Sequence, residues 1–244
     1  MPNSIYKNAI SNLLVPGSPE ALLAEANHRI ANNLARVISL VRLQASHLAK
    51  STKSMSSQEV SELLGELASR IEAVGRLHKL LSRGGRDANL EVGDYLEEVC
   101  HSLTSSLSAT RQMRLSHRFD GDCLLPADQL VLVGLIVTEL VMNAVKYAHP
   151  TAVPTRISVD CKQAPDGTLF VEVTDDGVGL PEAFDPSVDG GLGFRVMRAL
   201  AEQLGGTLSF QSDGLGLRAG LVTSAAPVNG AAGHLCPAGT AVVQ

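Results

Sequence analysis

LIVTELVMNAVKYAHP (135–150) is the stretch on which the fold turns. With the residues just ahead of it, it predicts one long, strongly apolar helix over 126–148. Glu139, Asn143 and Lys146 fall at i, i+4 and i+7, so one face of that helix collects a carboxylate, an amide and an ammonium. A helix this apolar belongs in a core, and a polar line on it needs partners. Upstream, Asp94–Leu107 has helical spacing and MRLSHRF (113–119) alternates like a strand. Downstream, Arg156–Lys162 and Thr168–Thr174 are alternating runs joined by APDG (164–167), a hairpin signal. A Gly-rich loop over 177–193 leads into a helix that ends near Leu204 at Gly205-Gly206. Thr207–Gln211 and Leu217–Thr223 read as a closing strand pair. Helices interleaved with strands predict a mixed sheet with helices on one face, an α/β sandwich over 90–224.

The N-terminal part has a different period. Ile30, Leu34, Val37, Val41, Gln44 and Leu48 alternate spacings of four and three along a helix over 20–48, with one polar slot at Gln44. After the polar loop KSTKSMSS (50–57), Val60, Leu64, Leu67, Ile71, Val74, His78 and Leu81 repeat the pattern over 58–82, and Leu63, Leu77 and Leu80 widen the stripe. An isolated hairpin cannot bury both seams, so 20–82 predicts half of a four-helix bundle completed by a twofold homodimer. RGGRDAN (83–89) reads as a linker, 1–19 as a lead too short for a sensory domain, and the Ala/Gly/Pro-rich 225–244 as a disordered tail.

Composition narrows the function classes. The 244 residues carry a net charge of −5, which argues against non-specific nucleic-acid binding. Aromatics make up 3% with no Trp, which leaves no stacking platform for single-stranded bases. Cys100, Cys123, Cys161 and Cys236 form no CxxC, so neither zinc nor a thioredoxin-type motif is indicated, and a reducing cytoplasm is expected. The longest apolar run, LVLVGLIV (130–137), is short of the ~18 residues of a membrane span, and residues 1–20 lack a signal-peptide pattern.

Four stretches carry chemistry. In NHRIANNLARVISLVRLQAS (27–46), His28 falls off the seam, with Ala31, Asn32 and Ala35 on its face. An exposed neutral imidazole is a competent nucleophile toward phosphorus, although a surface His on an amphipathic helix is the simpler reading of that stretch alone. On the apolar helix, Asn143 offers a carbonyl oxygen to Mg2+ and Lys146 can offset phosphate charge. In VTDDGVGLPE (173–182), Asp175 ends a strand, where it can accept a hydrogen bond from an exocyclic amine, and Gly177 and Gly179 permit close backbone approach to a flat ring. In DGGLGFRVMRALAEQLGG (189–206), Gly191 and Gly193 open a helix whose N-terminal amides attract phosphate. Neither a Walker sequence nor a dinucleotide fingerprint is present.

In order and spacing, these stretches resemble the sensor histidine kinases of the HWE-like group, whose ATP-binding domain is of the Bergerat type. HRIANNL (28–34) looks like the phosphoacceptor motif, ELVMNAVKYAHP (139–150) like the N box, DDGVGLP (175–181) like the G1 box and GGLGFRV (190–196) like the G2 box. RLHKLL (76–81) and YLEEVC (95–100) also stand where the group has similar segments, so the resemblance covers roughly 24–210.

The resemblance implies a cytoplasmic kinase that uses ATP and Mg2+. It makes His28 the phosphorylated residue, Asn143 the Mg2+ ligand and Glu139 a polarising or basic group beside it. Lys146 would lie near the phosphates, and Asp175 would read the adenine amine in a pocket shaped by Gly177 and Gly179. Residues 180–190 would form a lid, Gly191 and Gly193 would face the triphosphate, and Asn32 would position water for dephosphorylation. A response-regulator receiver domain is the implied partner, with a separate sensor protein as a possible source of input. A histidine phosphotransferase or response-regulator phosphatase with a silent nucleotide domain, and a conformational ATPase of the same fold, are the alternatives. Four departures stand out: no Trp for the G1 box of the strict HWE pattern, Asp176 where many relatives carry Asn, Arg29 where the commonest kinases carry an acid, and no evident Gly-Thr in GLGLRAGL (214–221).

Overall fold

The computed structural model describes residues 35, 38, 41–42, 45–46, 56–83, 89–107, 113–120, 123–149, 153–186, 188–212 and 214–224. The described residues between 35 and 46 are helical, and Val41 among them packs against the core. The lead, most of the first helix of the expected hairpin and the tail from 225 lie outside the described residues.

Helix α1 (Ser57–Arg83) begins at a reciprocal cap. Ser56 Oγ accepts from the Glu59 N–H at 3.2 Å, while Glu59 Oε2 accepts from the Ser56 N–H at 2.8 Å and the Ser56 hydroxyl at 2.9 Å. The chain continues through β1 (Asn89–Glu91), α2 (Val92–Leu107), β2 (Met113–Asp120), β3 (Leu124–Pro126) and α3 (Ala127–Tyr147). It closes with β4 (Thr155–Gln163), β5 (Thr168–Asp175), α4 (Leu192–Gln203), β6 (Thr207–Ser212) and β7 (Leu217–Ser224).

The main sheet has the order β2-β4-β5-β7-β6. Only β2 and β4 run parallel; the other neighbours are antiparallel. The parallel pair needs a crossover, which β3 and α3 supply. The β4–β5 turn is the expected hairpin: Gly167 takes φ +87°, and Asp166 Oδ1 accepts from the Thr168 N–H at 2.9 Å. One sheet face presents Ile157, Val159, Cys161, Leu169, Val171, Val173, Ala219 and Leu221, all buried beneath the helices. The other face is polar, with ion pairs such as Arg118–Asp160 at 3.0 Å. β1 and β3 form a separate two-stranded ribbon.

α3 is the core of the domain. Leu130–Val141 is buried without interruption, so this helix, although long and apolar enough to cross a membrane, serves as an interior helix. α4 ends as the Gly pair requires. Gly205 takes φ +64°, and the Gly205 and Gly206 N–H groups reach Glu202 O at 3.0 Å and Ala201 O at 2.8 Å.

Gly134, in mid-helix α3, is required by packing. A Cβ there would lie 2.4 Å from the Tyr95 hydroxyl oxygen and 2.5 Å from a ring carbon. Tyr95 is fully buried and donates to Ala73 O at 3.1 Å, so it cannot withdraw without breaking the junction of α2 with α1. Gly134→Ala is therefore expected to destabilise the chain by about 1–3 kcal/mol, although alanine is the better helix former by ~1 kcal/mol. Urea denaturation checks this.

Candidate functional site

The polar line on α3 opens into a cavity of about 700 Å³. Glu139, Asn143, Lys146 and Tyr147 supply one wall, Asp175 the end of β5 and Gly179 the loop after it, and Gly191 and Gly193 the start of α4. That size suits a nucleotide-sized ligand. Seven of the sequence-predicted site residues therefore line one space. Gly177 does not: a Cβ there would meet Ala148 Cα at 2.4 Å, so its smallness serves the docking of the loop on the end of α3. The Val178 N–H donates to Ala148 O at 2.9 Å in the same contact. His28 and Asn32 lie outside the described residues.

At the β5 end, Asp175 Oδ1 accepts from the Gly177 N–H at 2.9 Å and from the Leu217 N–H at 3.3 Å. These bonds orient the carboxylate without engaging Oδ2. Burial pushes its pKa above the usual carboxylate range, against the pull of those two N–H groups. Gly216 packs directly over this strand end, since its φ is +144° and a Cβ would lie 2.0 Å from Asp175 O.

Asp176 is compensated. Its Oδ1 accepts from the Arg156 N–H at 2.8 Å and lies 3.1 Å from His149 Nε2, and Arg156 Nε is 3.5 Å from Oδ2. Slight burial works against ionisation, but the Arg156 N–H and the His149 ring outweigh it and hold the carboxyl below its ordinary pKa. The extra acid at this position is therefore absorbed by the rim of the site.

The opposite end is shaped by α4. Among the described residues, its chain neighbours aside, no atom lies within 4 Å of a Cβ built on Gly191, so the helix start is open. A Cβ on Gly193 would stand 3.3 Å from Glu139 Oε2 and 3.6 Å from Asn143 Oδ1, so the α4 amino end and the polar face of α3 meet there. Gly179 takes φ +70° and has Ser212 Oγ where a side chain would begin, 2.0 Å from its built Cβ. The loop between Gly179 and Gly191 is tied down by Arg198 Nη2 donating to Pro186 O at 3.1 Å and by the ring series Phe184, Phe194, Phe210.

One pair was not legible in the motifs. Arg70 of α1 donates from Nε and Nη2 to both oxygens of Glu139, the Nη2 bond measuring 3.0 Å. Both side chains are only 4% exposed, yet both line the cavity, as does Leu63 one face-repeat earlier on α1. The available signal was an arginine aligned with Leu63, Leu67 and Val74 on an apolar stripe. The packed face of α1 is Ser69, Arg70, Ala73 and Val74, whereas Val60, Leu64 and Ile71 of the expected seam are exposed. Among the described residues no cluster of three or more His, Cys, Asp or Glu could hold a metal.

Comparison with known proteins agrees with this geometry. Residues 25–107 match the family model described as histidine kinase, and residues 128–226 match that of the histidine kinase-, DNA gyrase B- and HSP90-like ATPases. The sensor histidine kinase PdtaS of Mycobacterium tuberculosis is 29% identical over 196 residues, which are 80% of this chain and 37% of that protein. Blue-light-activated histidine kinase 2 of Erythrobacter litoralis is 27% identical over 198 residues, 80% of this chain and 54% of that one. The solved histidine kinase domain of an Erythrobacter litoralis blue-light-activated histidine kinase superposes with a TM-score of 0.63 at 25% identity, covering 83% of this chain and 93% of that domain. The chain spans between 37% and 54% of the length of these two curated relatives.

Proposed function

We propose that this chain, which belongs to the histidine kinases of the HWE-like group, phosphorylates its own His28 from Mg·ATP and passes the phosphoryl group to a response-regulator aspartate. The observation that carries this reading is the two-ended cavity. Asp175 stands fixed at one end, and Asn143, Glu139 and the open start of α4 converge at the other.

The residues divide the work. Asp175 accepts from the adenine amine, which orients the nucleotide. The α4 amino end attracts the phosphates, and Lys146 at the cavity wall offsets their charge. Asn143 suits Mg2+, which keeps several waters and takes few protein ligands when phosphates supply the rest. When bound, that ion neutralises phosphate charge. A ring nitrogen of His28 attacks the terminal phosphorus in line. The N–P bond forms, the bond to the bridging oxygen breaks, ADP leaves and the imidazole proton passes to water. Positioning and charge neutralisation supply the rate.

In this reading 20–82 is the dimerisation and phosphotransfer hairpin, 83–89 its linker and 90–224 the ATP-binding domain. The exposed Val60, Leu64 and Ile71 on one side of α1 support a homodimer. Asn32 positions water for dephosphorylation, and the protein works in the cytoplasm.

Labelling with radioactive ATP tests the proposal. The expected result is acid-labile, base-stable label on the protein, absent in His28→Gln and chased onto a receiver domain. ATP hydrolysis with no label on the chain, unchanged in His28→Gln, would show a conformational ATPase instead. Label acquired only from a phosphorylated receiver would show a phosphotransfer module.

A further inference from the structure

The Arg70–Glu139 pair stands where the helical hairpin meets the phosphate end of the cavity. Its two carboxylate oxygens take two guanidinium N–H groups, a fork geometry that also fits a phosphate. Glu139 Oε2, bonded to Arg70 Nη2, lies 3.3 Å from a Cβ built on Gly193 at the start of α4. The guanidinium is therefore one carboxylate away from where the end of a polyphosphate comes to rest. A buried carboxylate at that place repels the arriving anion unless a cation neutralises it, and Arg70 is that cation.

Resting on the kinase reading, we propose that Arg70 is the residue that distinguishes ATP from ADP. Its guanidinium, clasped to Glu139 in the structure described here, turns to the terminal phosphate of bound ATP. ADP, one phosphate shorter, leaves the clasp in place. The nucleotide preference thus comes from a residue of α1, outside the motifs of the ATP-binding domain. Glu139 and the terminal phosphate compete for one cation, and so the two substitutions act in opposite directions.

Calorimetric titration with Mg·ATP and Mg·ADP, carried out in a His28→Gln background to prevent turnover, tests this. Arg70→Gln is expected to weaken ATP at least about 10-fold, the scale of a lost charge-assisted hydrogen bond, while ADP changes less than about 2-fold. Glu139→Gln is expected to tighten ATP several-fold and leave ADP unmoved, and Arg70→Lys to fall between the parent and Arg70→Gln. If Arg70→Gln does not fold, the double variant Arg70→Gln with Glu139→Gln replaces it and must lose the ATP preference that Glu139→Gln alone retains. Equal weakening of both nucleotides, or an ATP:ADP ratio that stays at the parent value, would overturn the proposal and leave the kinase reading standing. A parent chain that binds neither nucleotide would overturn both.

Discussion

Arg70→Met lowers the stability of the chain by about 3–5 kcal/mol, and adding Glu139→Leu recovers most of that loss. The reason is the enclosure of the pair, each side chain being 4% exposed. Removing the guanidinium leaves the Glu139 carboxylate, itself 4% exposed, without its paired cation. Removing both charges leaves an apolar contact of similar volume, which interiors accept at little cost. Urea denaturation of the parent, the two single variants and the double variant closes a thermodynamic cycle. Because the pair is buried, the loss is expected to persist in high salt, unlike that of the exposed Arg118–Asp160 pair. Single and double variants of equal stability would mean that the carboxylate reaches water without its partner.

Asp175→Asn is expected to weaken Mg·ATP about 10- to 100-fold, since it replaces a charged acceptor at the adenine end by an amide. The Gly177 and Leu217 N–H groups still find an oxygen, so thermal unfolding should move little. The same residue sets an acid limb. Its carboxyl titrates above the usual range because it is buried, and its charged form is the one that accepts from the amine. Nucleotide affinity should therefore fall as pH drops through the raised pKa. In Asp175→Asn that limb should vanish. The sign for stability is opposite: a raised carboxyl pKa favours the folded state as the group protonates, so this residue does not itself drive acid unfolding. Asp176, held below its ordinary pKa by Arg156 and His149, contributes stability that is lost as pH falls through its depressed value.

Much of the architecture was legible because period and punctuation agree. The strands read at 156–162 and 168–174 are β4 and β5, and the Pro-Asp-Gly turn joins them as expected. The apolar helix over 126–148 is α3, and the Gly pair ends α4 where the sequence put it. Pairing direction was not legible. Alternation says which face a residue takes and nothing about its neighbour strand, so the parallel β2–β4 register appears only in three dimensions. β1 and β3, three residues each, are too short to show a period.

In the site, Glu139, Asn143 and Lys146 were found by helical spacing, and their convergence with Asp175 and the α4 start follows from the sheet order. Arg70 was missed because its partner is 69 residues away and its helix was read for its apolar seam. At Gly177 the close neighbour is Ala148, and a glycine in the sequence shows that something comes close and not what. His149 and Gly216 matter through long-range contacts with Asp176 and Asp175, which no local pattern encodes.

Tyr147 ends α3 at the mouth of the cavity with 60% of its surface exposed, and the chain has no Trp. An indole placed there would be the sole long-wavelength emitter in the molecule, on a helix whose core packing it does not touch. Tyr147→Trp thus turns the rim of the site into an intrinsic optical gauge, one whose emission reports arrival and departure of a purine in real time with no attached dye.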